Sequence, residues 1–289
     1  MPTVDPKTLS SSQLDDCLLS AVAPRPIALA STVDANGKVN LSPFSYFNVV
    51  STNPPILIFS PTRRIRDNAI KHTLKNVLEV KEVVINIVTF DMVYQMSLTS
   101  SDYAEGVNEF EKAGFTMLKS DTVKPYRVGE SPIQMECKVN DVVALGTHPG
   151  AGNIVICEVV KLHIDDDILN EDQTINQQKL DLVARAGGSY YTRANKGFFK
   201  IPRPFKSVSF GIDNFPEAVK NSMVLTGNDL GLLATVEALP EKSEVDYFIN
   251  ELSEKYPSIK TNNEREKQQL ARNYLSFGDV DSAWKILLS

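Results

Sequence analysis

Between residues 26 and 165 the apolar positions fall in short runs rich in β-branched and aromatic side chains, broken every few residues by turn formers. That rhythm predicts strands, because a strand side chain alternates between two faces while a tight turn calls for Gly, Asn, Asp or Pro. Strands are expected over 26–33, from 38 onward, and over 45–51, 56–60, 83–88, 133–145 and 154–164. The first two flank Asp34-Ala35-Asn36-Gly37, whose Asn-Gly pair suits the left-handed backbone of a hairpin turn. The stretch Gly146-Thr147-His148-Pro149-Gly150-Ala151-Gly152 reads as another hairpin connection. Two segments carry helical spacing instead: 66–80, with Ile70, Leu74, Val77 and Leu78 on one face, and the shorter 108–113. Many strands with few helices predict a mainly β, antiparallel barrel.

The pattern changes after Lys200-Ile201-Pro202-Arg203-Pro204, whose prolines suit a linker. Beyond it, Ser243-Glu244-Val245-Asp246 resembles a helix-capping box ahead of an apolar-periodic run to Leu252, and 263–276 reads as a further helix. Ala271, Tyr274, Leu275, Gly278-Asp279 and Ala283 resemble half of a tetratricopeptide-type helical hairpin. One hairpin cannot stack a solenoid by itself. The tail therefore has two readings, a partner-recruiting element or a helical cap packed on the barrel or on a partner subunit. The expected division is a barrel over 1–200 and a helical extension over 201–289.

Composition narrows the function classes. The 289 residues are 42% hydrophobic and 23% charged, proportions that fit a folded chain with a real core. Thirty-six acidic against 30 basic residues give a net charge of −6, which argues against a nucleic-acid or anionic-membrane partner. No apolar run is long enough for a membrane span, and residues 1–20 lack the pattern of a signal segment. Cys17, Cys137 and Cys157 form no CxxC pair, so a reduced, cytoplasmic protein is expected. The three histidines, His72, His148 and His163, show no metal-binding spacing, and Asp165-Asp166-Asp167 lacks the glycine and glutamate of a calcium loop and reads as a solvated turn. No bound metal is expected. GxGxxG, GxxxxGK[ST] and GxSxG are all absent, which leaves any chemistry to a cofactor and names no catalytic side chain.

Two clusters point to what that cofactor is. Between residues 61 and 78, Arg63, Arg64, Arg66, Lys71 and Lys75 face Asp67 alone, a local charge of +4 inside an acidic chain. With Thr62 and Thr73 near the start of a predicted helix, guanidinium groups, hydroxyls and helix N–H groups can converge on a phosphate monoester. The other reading is a solvated basic helix face. Upstream, Asn40-Leu41-Ser42-Pro43-Phe44-Ser45-Tyr46-Phe47-Asn48 interleaves small polar residues with three aromatics. That combination suits a planar heteroaromatic ring, or else an amphipathic strand with its aromatics in the core.

Taken in order, these segments resemble the flavin reductase-like family, whose members include flavoredoxins and the reductase components of two-component monooxygenases. The resemblance runs through Pro24 to Thr32, Gly37 to Asn48, Pro54-Pro55, Lys71 to Val77, Val84-Ile85-Asn86, Asn108-Glu109-Phe110, Ala113-Gly114-Phe115 and Arg185 to Gly188 with Tyr190-Tyr191. It covers roughly 15–200 and leaves 201–289 outside. It implies an FMN-binding split β-barrel of Greek-key type, a homodimer with FMN at the subunit interface, and NADH or NADPH as hydride donor to flavin N5. It further implies that Ser31, Thr32, Asn40, Ser42, Pro43, Phe44, Ser45, Tyr46 and Phe47 hold the ring and ribityl chain. Arg63, Arg64, Lys71 and Thr73 would take the phosphate. Lys71-His72-Thr73 stands where the family often has Lys-Asp-Thr. Gly152-Asn153 stands where a histidine often precedes the strand, with His148 slightly upstream. The alternatives to a flavin reductase are an FMN electron carrier between proteins and a non-enzymatic binding protein that recruits a partner through its tail.

Overall fold

The computed structural model describes residues 1, 3–201, 211–255 and 263–289. The prolines of the expected linker, Pro202 and Pro204, lie outside the described residues. The chain divides into two compact units, Met1–Phe198 and Phe199–Ser289.

In the first unit, α1 (Ser11–Ala21) precedes four strands, β1 (Ala28–Val33), β2 (Val39–Phe44), β3 (Phe47–Thr52) and β4 (Pro55–Phe59). Then come α2 (His72–Glu79), β5 (Glu82–Ile87), α3 (Val93–Leu98), α4 (Glu109–Ala113) and the short β6 (Met117–Leu118) and β7 (Arg127–Val128). The long β8 (Ile133–Ala144) and β9 (Asn153–Ile164) follow, and α5 (Gln177–Leu180), β10 (Val183–Arg185) and β11 (Tyr191–Arg193) close the unit. Seven strands make one sheet in the order β2-β1-β5-β8-β9-β4-β3, every pair antiparallel. The β8–β9 hairpin thus sits between β4 and β5, which follow each other in the chain, a Greek-key-like jump bridged by α2. The two edge strands, β2 and β3, are joined by only Ser45 and Tyr46, so the sheet must curl to bring its edges to one corner. The backbone bond from Ser60 N to Tyr46 O, 2.9 Å, ties that corner. This is the split barrel.

The curl leaves an apolar interior built from Ala28, Ala30, Phe44, Leu57, Phe59, Val83, Ile85 and Val155. The opposite face of β1 packs Leu29 with Leu41, Met92, Met96 and Phe110 under α3 and α4. Both faces of β1 are therefore covered, and all six of its residues are buried, Ser31 and Thr32 included. A strand buried on two faces loses the polar-out alternation.

Element boundaries differ from expectation where local chemistry intervenes. The helix expected over 66–80 begins at His72. Arg64 to Asn68 form a separate turn, and Asn68 at φ 60° adopts the left-handed conformation, which a continuing right-handed helix cannot pass through. The turn expected at Asp165 to Asp167 is solvated, a 3-10 turn capped by the Asp165 side chain with Ile168 anchored inside.

A buried carboxylate braces the barrel. Glu136 on β8 is fully buried, and it accepts from Asp121 N at 2.8 Å, Thr122 N at 2.6 Å, the Thr122 hydroxyl and His163 Nε2 at 2.7 Å. Burial alone would raise its pKa, but these hydrogen bonds outweigh it and hold the carboxyl down to about 2, from 4.5. A folded-state pKa below the unfolded one adds stability that is complete above about 4.5 and is lost as the pH falls toward about 2. The loss should be of order 3 kcal/mol across that window. Denaturant melts of the native chain and Glu136→Gln at stepped pH check this: the native stability should fall in that window, and the variant's curve should be flatter there.

The second unit is helical: α6 (Glu217–Lys220), α7 (Gly227–Leu233), α8 (Lys242–Lys255), α9 (Glu264–Ser276) and α10 (Val280–Leu287). Ser243 is not the cap of α8. The helix starts one residue earlier, and Glu244 Oε2 accepts from Glu241 N at 2.8 Å. The segment that resembles half a tetratricopeptide hairpin, α9 and α10 turning at Gly278 (φ 76°), is packed against α7 and α8. Its apolar face is thus used within the unit. At the centre Trp284 is fully buried, stacks edge-on to Phe215 at 4.9 Å and donates from Nε1 to the Leu233 carbonyl at 2.9 Å. No helix among the described residues is long and apolar enough to cross a membrane.

Candidate functional site

The site forms where the basic loop after β4 meets β2, the start of α2 and the loop after α3. Two backbone bonds, Arg63 N to Ala151 O at 2.9 Å and Gly150 N to Arg63 O at 3.0 Å, lash the basic loop to the β8–β9 turn. Arg63 Nε and Asn68 Nδ2 both donate to the Thr147 carbonyl, at 3.2 and 3.0 Å. Gly152 permits the approach: a Cβ there would stand 2.9 Å from Ser60 Oγ. The Gly-rich stretch is thus a hairpin connection, and its task is to hold the arginines in place. His148 lies in the same turn, where its carbonyl accepts from Ala151 N at 3.0 Å.

The basic loop opens on a polar chamber of about 60 Å³, lined by Ser42, Arg64, Lys71, Thr73, Ser101 and Asp102 among others. It adjoins a cleft of about 590 Å³ lined by Thr62, Arg63, Arg64, Arg66 and Lys71. A third hollow of about 370 Å³ is bounded by apolar Ile27, Pro43 and Met96 together with Ser45, Arg185 and Tyr191. Ser100 lines all three, which places the cationic chamber and cleft beside the third hollow, whose lining mixes apolar and polar side chains.

The expected ligand residues divide between lining and support. Ser42, Arg63, Arg64, Lys71 and Thr73 line the cationic end, and Pro43 and Ser45 the other. Asn40 also borders the chamber, yet its amide donates to Thr73 Oγ1 at 2.9 Å and Thr32 Oγ1 at 3.3 Å. Asn76 Nδ2 adds a bond to Thr32 Oγ1 at 3.1 Å. This buried network ties β1, β2 and α2 together, and Thr32 is a strut within it. Ser31 is fully buried with a hydroxyl that has no hydrogen-bond partner. Phe44 packs in the barrel core, its ring 5.5 Å from that of Phe59, and Phe47 lies against the same core. Tyr46 donates to Asp15 Oδ1 at 3.3 Å, and its partial burial raises the phenol's pKa.

Electrostatics favour an anion at the cationic end. No side chain caps α2 at Lys71, so the positive end of the helix is left open. Asp67 lies below the usual carboxylate range, held first by the Ala69 N–H and then by Arg64 and Arg66. Burial pushes Glu109, which borders the chamber, upward, against a hydrogen bond from Leu41 N at 3.0 Å. The residues missed by sequence reading are Ser100, Ser101 and Asp102. They follow α3, far along the chain from the basic loop, and carry no motif. Arginines, a lysine, hydroxyls and an uncapped helix start are the donor set that a phosphate monoester requires, and these residues fit one.

Comparison with known proteins agrees with this architecture. The chain is 37% identical over 188 residues to an uncharacterized protein of Aquifex aeolicus, a match spanning 65% of this chain and 93% of the relative. It is 33% identical over 203 residues to the uncharacterized protein BH2278 of Halalkalibacterium halodurans, covering 70% and 96%. Among solved structures it resembles nitrilotriacetate monooxygenase component B from Bacillus cereus, with TM-score 0.65, 27% identity and coverage of 69% and 98%. The 2-nitrobenzoate 2-nitroreductase of Pseudomonas fluorescens is similar at TM-score 0.64 and 26% identity, covering 73% and 100%. The flavin reductase like domain matches residues 20–187, which leaves the helical unit outside it. With that match over more than half its length, the chain belongs to the flavin reductase-like family.

Proposed function

We propose that the protein is an FMN-binding oxidoreductase, a flavin reductase that uses NADH or NADPH. The observation that carries this reading is the convergence of Arg64, Lys71, Thr73 and the uncapped start of α2 beside a hollow whose lining mixes Ile27, Pro43, Met96 and Tyr191 with polar Ser45 and Arg185. Its relatives include a monooxygenase component and a nitroreductase, both names of oxidoreductases. When bound, FMN supplies a hydride acceptor at N5, so no protein acid or base is required.

The chain's own residues bind and orient. Arg64 and Lys71 neutralise the phosphate, with Arg63 at the wider cleft. Ser42 and Thr73 add hydroxyls. Pro43, Ser45, Ile27 and Met96 shape the slot for the ring. Thr32, Asn40, Phe44 and Phe47 fix β1, β2 and the start of β3, so that backbone groups of 42–45 keep their positions, and Tyr46 ties this corner to Asp15. Exposed Tyr94 and Leu98, one turn apart on α3, are apolar positions suited to a second copy of the chain.

Gel filtration after mixing with FMN is the test. The expected result is a yellow dimer with one flavin per chain that bleaches anaerobically on addition of NADH or NADPH. Colourless protein that ignores FMN would overturn the reading. Bound flavin that accepts electrons from a ferredoxin-like donor, yet not from nicotinamides, would replace the reductase with an electron carrier.

A further inference from the structure

The cations of the proposed phosphate end already hold an anion, and it comes from elsewhere in the chain. Asp102, on the loop after α3, lies 2.6 Å from Arg66 Nη2, 3.3 Å from Arg64 Nη1 and 3.9 Å from Lys71 Nζ. Its carboxylate borders both the small chamber and the wide cleft. The other acids nearby are committed differently. Asp67 belongs to the basic turn itself, where it accepts from Ala69 N at 3.0 Å and pairs with the Nε of Arg64 and Arg66 at 3.3 and 3.6 Å but not with Lys71; Glu105 pairs with Lys75 at 3.2 Å, and Glu109 is held by Leu41 N. Among the described residues, Asp102 is the one carboxylate that bridges three of these cations.

We propose that Asp102 is a built-in competitor for the phosphate subsite, a carboxylate that occupies the Arg64, Arg66 and Lys71 cluster and gives way when a phosphate monoester binds. This rests on the reading of that cluster as the flavin phosphate site. Three physical points carry it. The Asp102 side chain is 42% exposed and the Arg66 side chain 65%, and ion pairs so exposed are weak and easily parted. A phosphate monoester brings nearly twice the charge of a carboxylate and three strong acceptor oxygens, so it wins the exchange. The loop carrying Asp102 also presents Ser101 to the same cleft, a hydroxyl that can donate after the carboxylate leaves, whereas the Ser100 hydroxyl donates to the Ser97 carbonyl at 2.6 Å. The consequence is regulation of affinity. Each binding event must break the Asp102 pairs, and each release is helped by their return, which makes the flavin exchangeable between protein and solution. Ligands without a phosphate leave the pairs intact and are indifferent to Asp102.

The experiment measures FMN and riboflavin dissociation constants for the full-length chain, Asp102→Asn, Asp102→Ser and Lys71→Ala, at low and at moderate salt. Ligand-free thermal melts confirm that each variant folds. Both Asp102 variants should bind FMN about fivefold to tenfold more tightly, by slower release, with riboflavin changed less than about twofold. The gain should shrink as salt screens the cluster. Folded Asp102 variants with unchanged or weaker FMN binding would overturn the proposal. If Lys71→Ala weakens FMN selectively in that same experiment, the phosphate site stands and only the role of Asp102 falls. If Lys71→Ala weakens FMN and riboflavin equally, the phosphate assignment itself fails, and the proposal falls with it.

Discussion

Replacing Arg64 and Lys71 together with alanine is expected to weaken FMN binding by at least about a hundredfold while changing riboflavin by less than about threefold. The two side chains line both the small chamber and the wide cleft, so each faces whichever part of the cationic end a phosphate occupies. A hydrogen bond between ionised partners contributes about 1.5–3 kcal/mol, and losing two removes at least about two powers of ten in affinity. Arg63→Ala should cost less, because its Nε is already engaged by Asn68 Oδ1 at 3.1 Å and the Thr147 carbonyl at 3.2 Å. Fluorescence titration of both flavins against the single and double variants checks the ranking. Equal weakening of FMN and riboflavin would mean that the cluster serves something other than phosphate.

Trp284→Ala should destabilise the helical unit by about 3–5 kcal/mol, the range for truncating a large aromatic in a packed core. Its indole is fully buried, lies 4.9 Å from the Phe215 ring and satisfies the Leu233 carbonyl. Truncation therefore leaves both a cavity and a buried acceptor without its donor. Domains of this size are stable by about 5–15 kcal/mol in total, so the loss should unfold a large share of molecules on mild heating. Trp284 is the sole tryptophan. In the native chain its fluorescence reports on this unit alone, which sets the reference melt. Far-UV circular dichroism then follows the variant, with Trp284→Phe as a milder control. An unchanged helical transition in Trp284→Ala would show that the indole is not the centre of that core.

The strand framework was legible because period-two runs and turn residues are local signals. Asn36-Gly37, the Val83 to Val88 run and the long hairpin from Ile133 to Ile164 each appear in the sheet within a residue or two of the positions their pattern predicts. Helix starts were less legible. Asn68 ends one turn and α2 begins only at His72, a break decided by a left-handed backbone that apolar spacing does not encode. The aromatics of β2 show the same limit. Alternation identifies Phe44 as inward or outward but does not say which, and only the curl of the sheet directs it onto Phe59.

By itself the sequence determined the family, the strand order along the chain, the change of character near residue 200 and the local excess of basic residues at 61–78. These properties depend on residue type and short-range spacing, which a linear chain displays directly. Tertiary structure decided which of those basic residues face a shared space and which anion already sits among them. Asp102 is separated from Arg64 by two helices and a strand, and its 3.3 Å approach exists only because the sheet curls its edges together and α3 delivers its following loop to the mouth of the groove. Charge acts through space, whereas sequence reports it along the chain. A local sum of +4 therefore raised an anion site beside a solvated basic face but could not reveal the carboxylate that pairs with these cations.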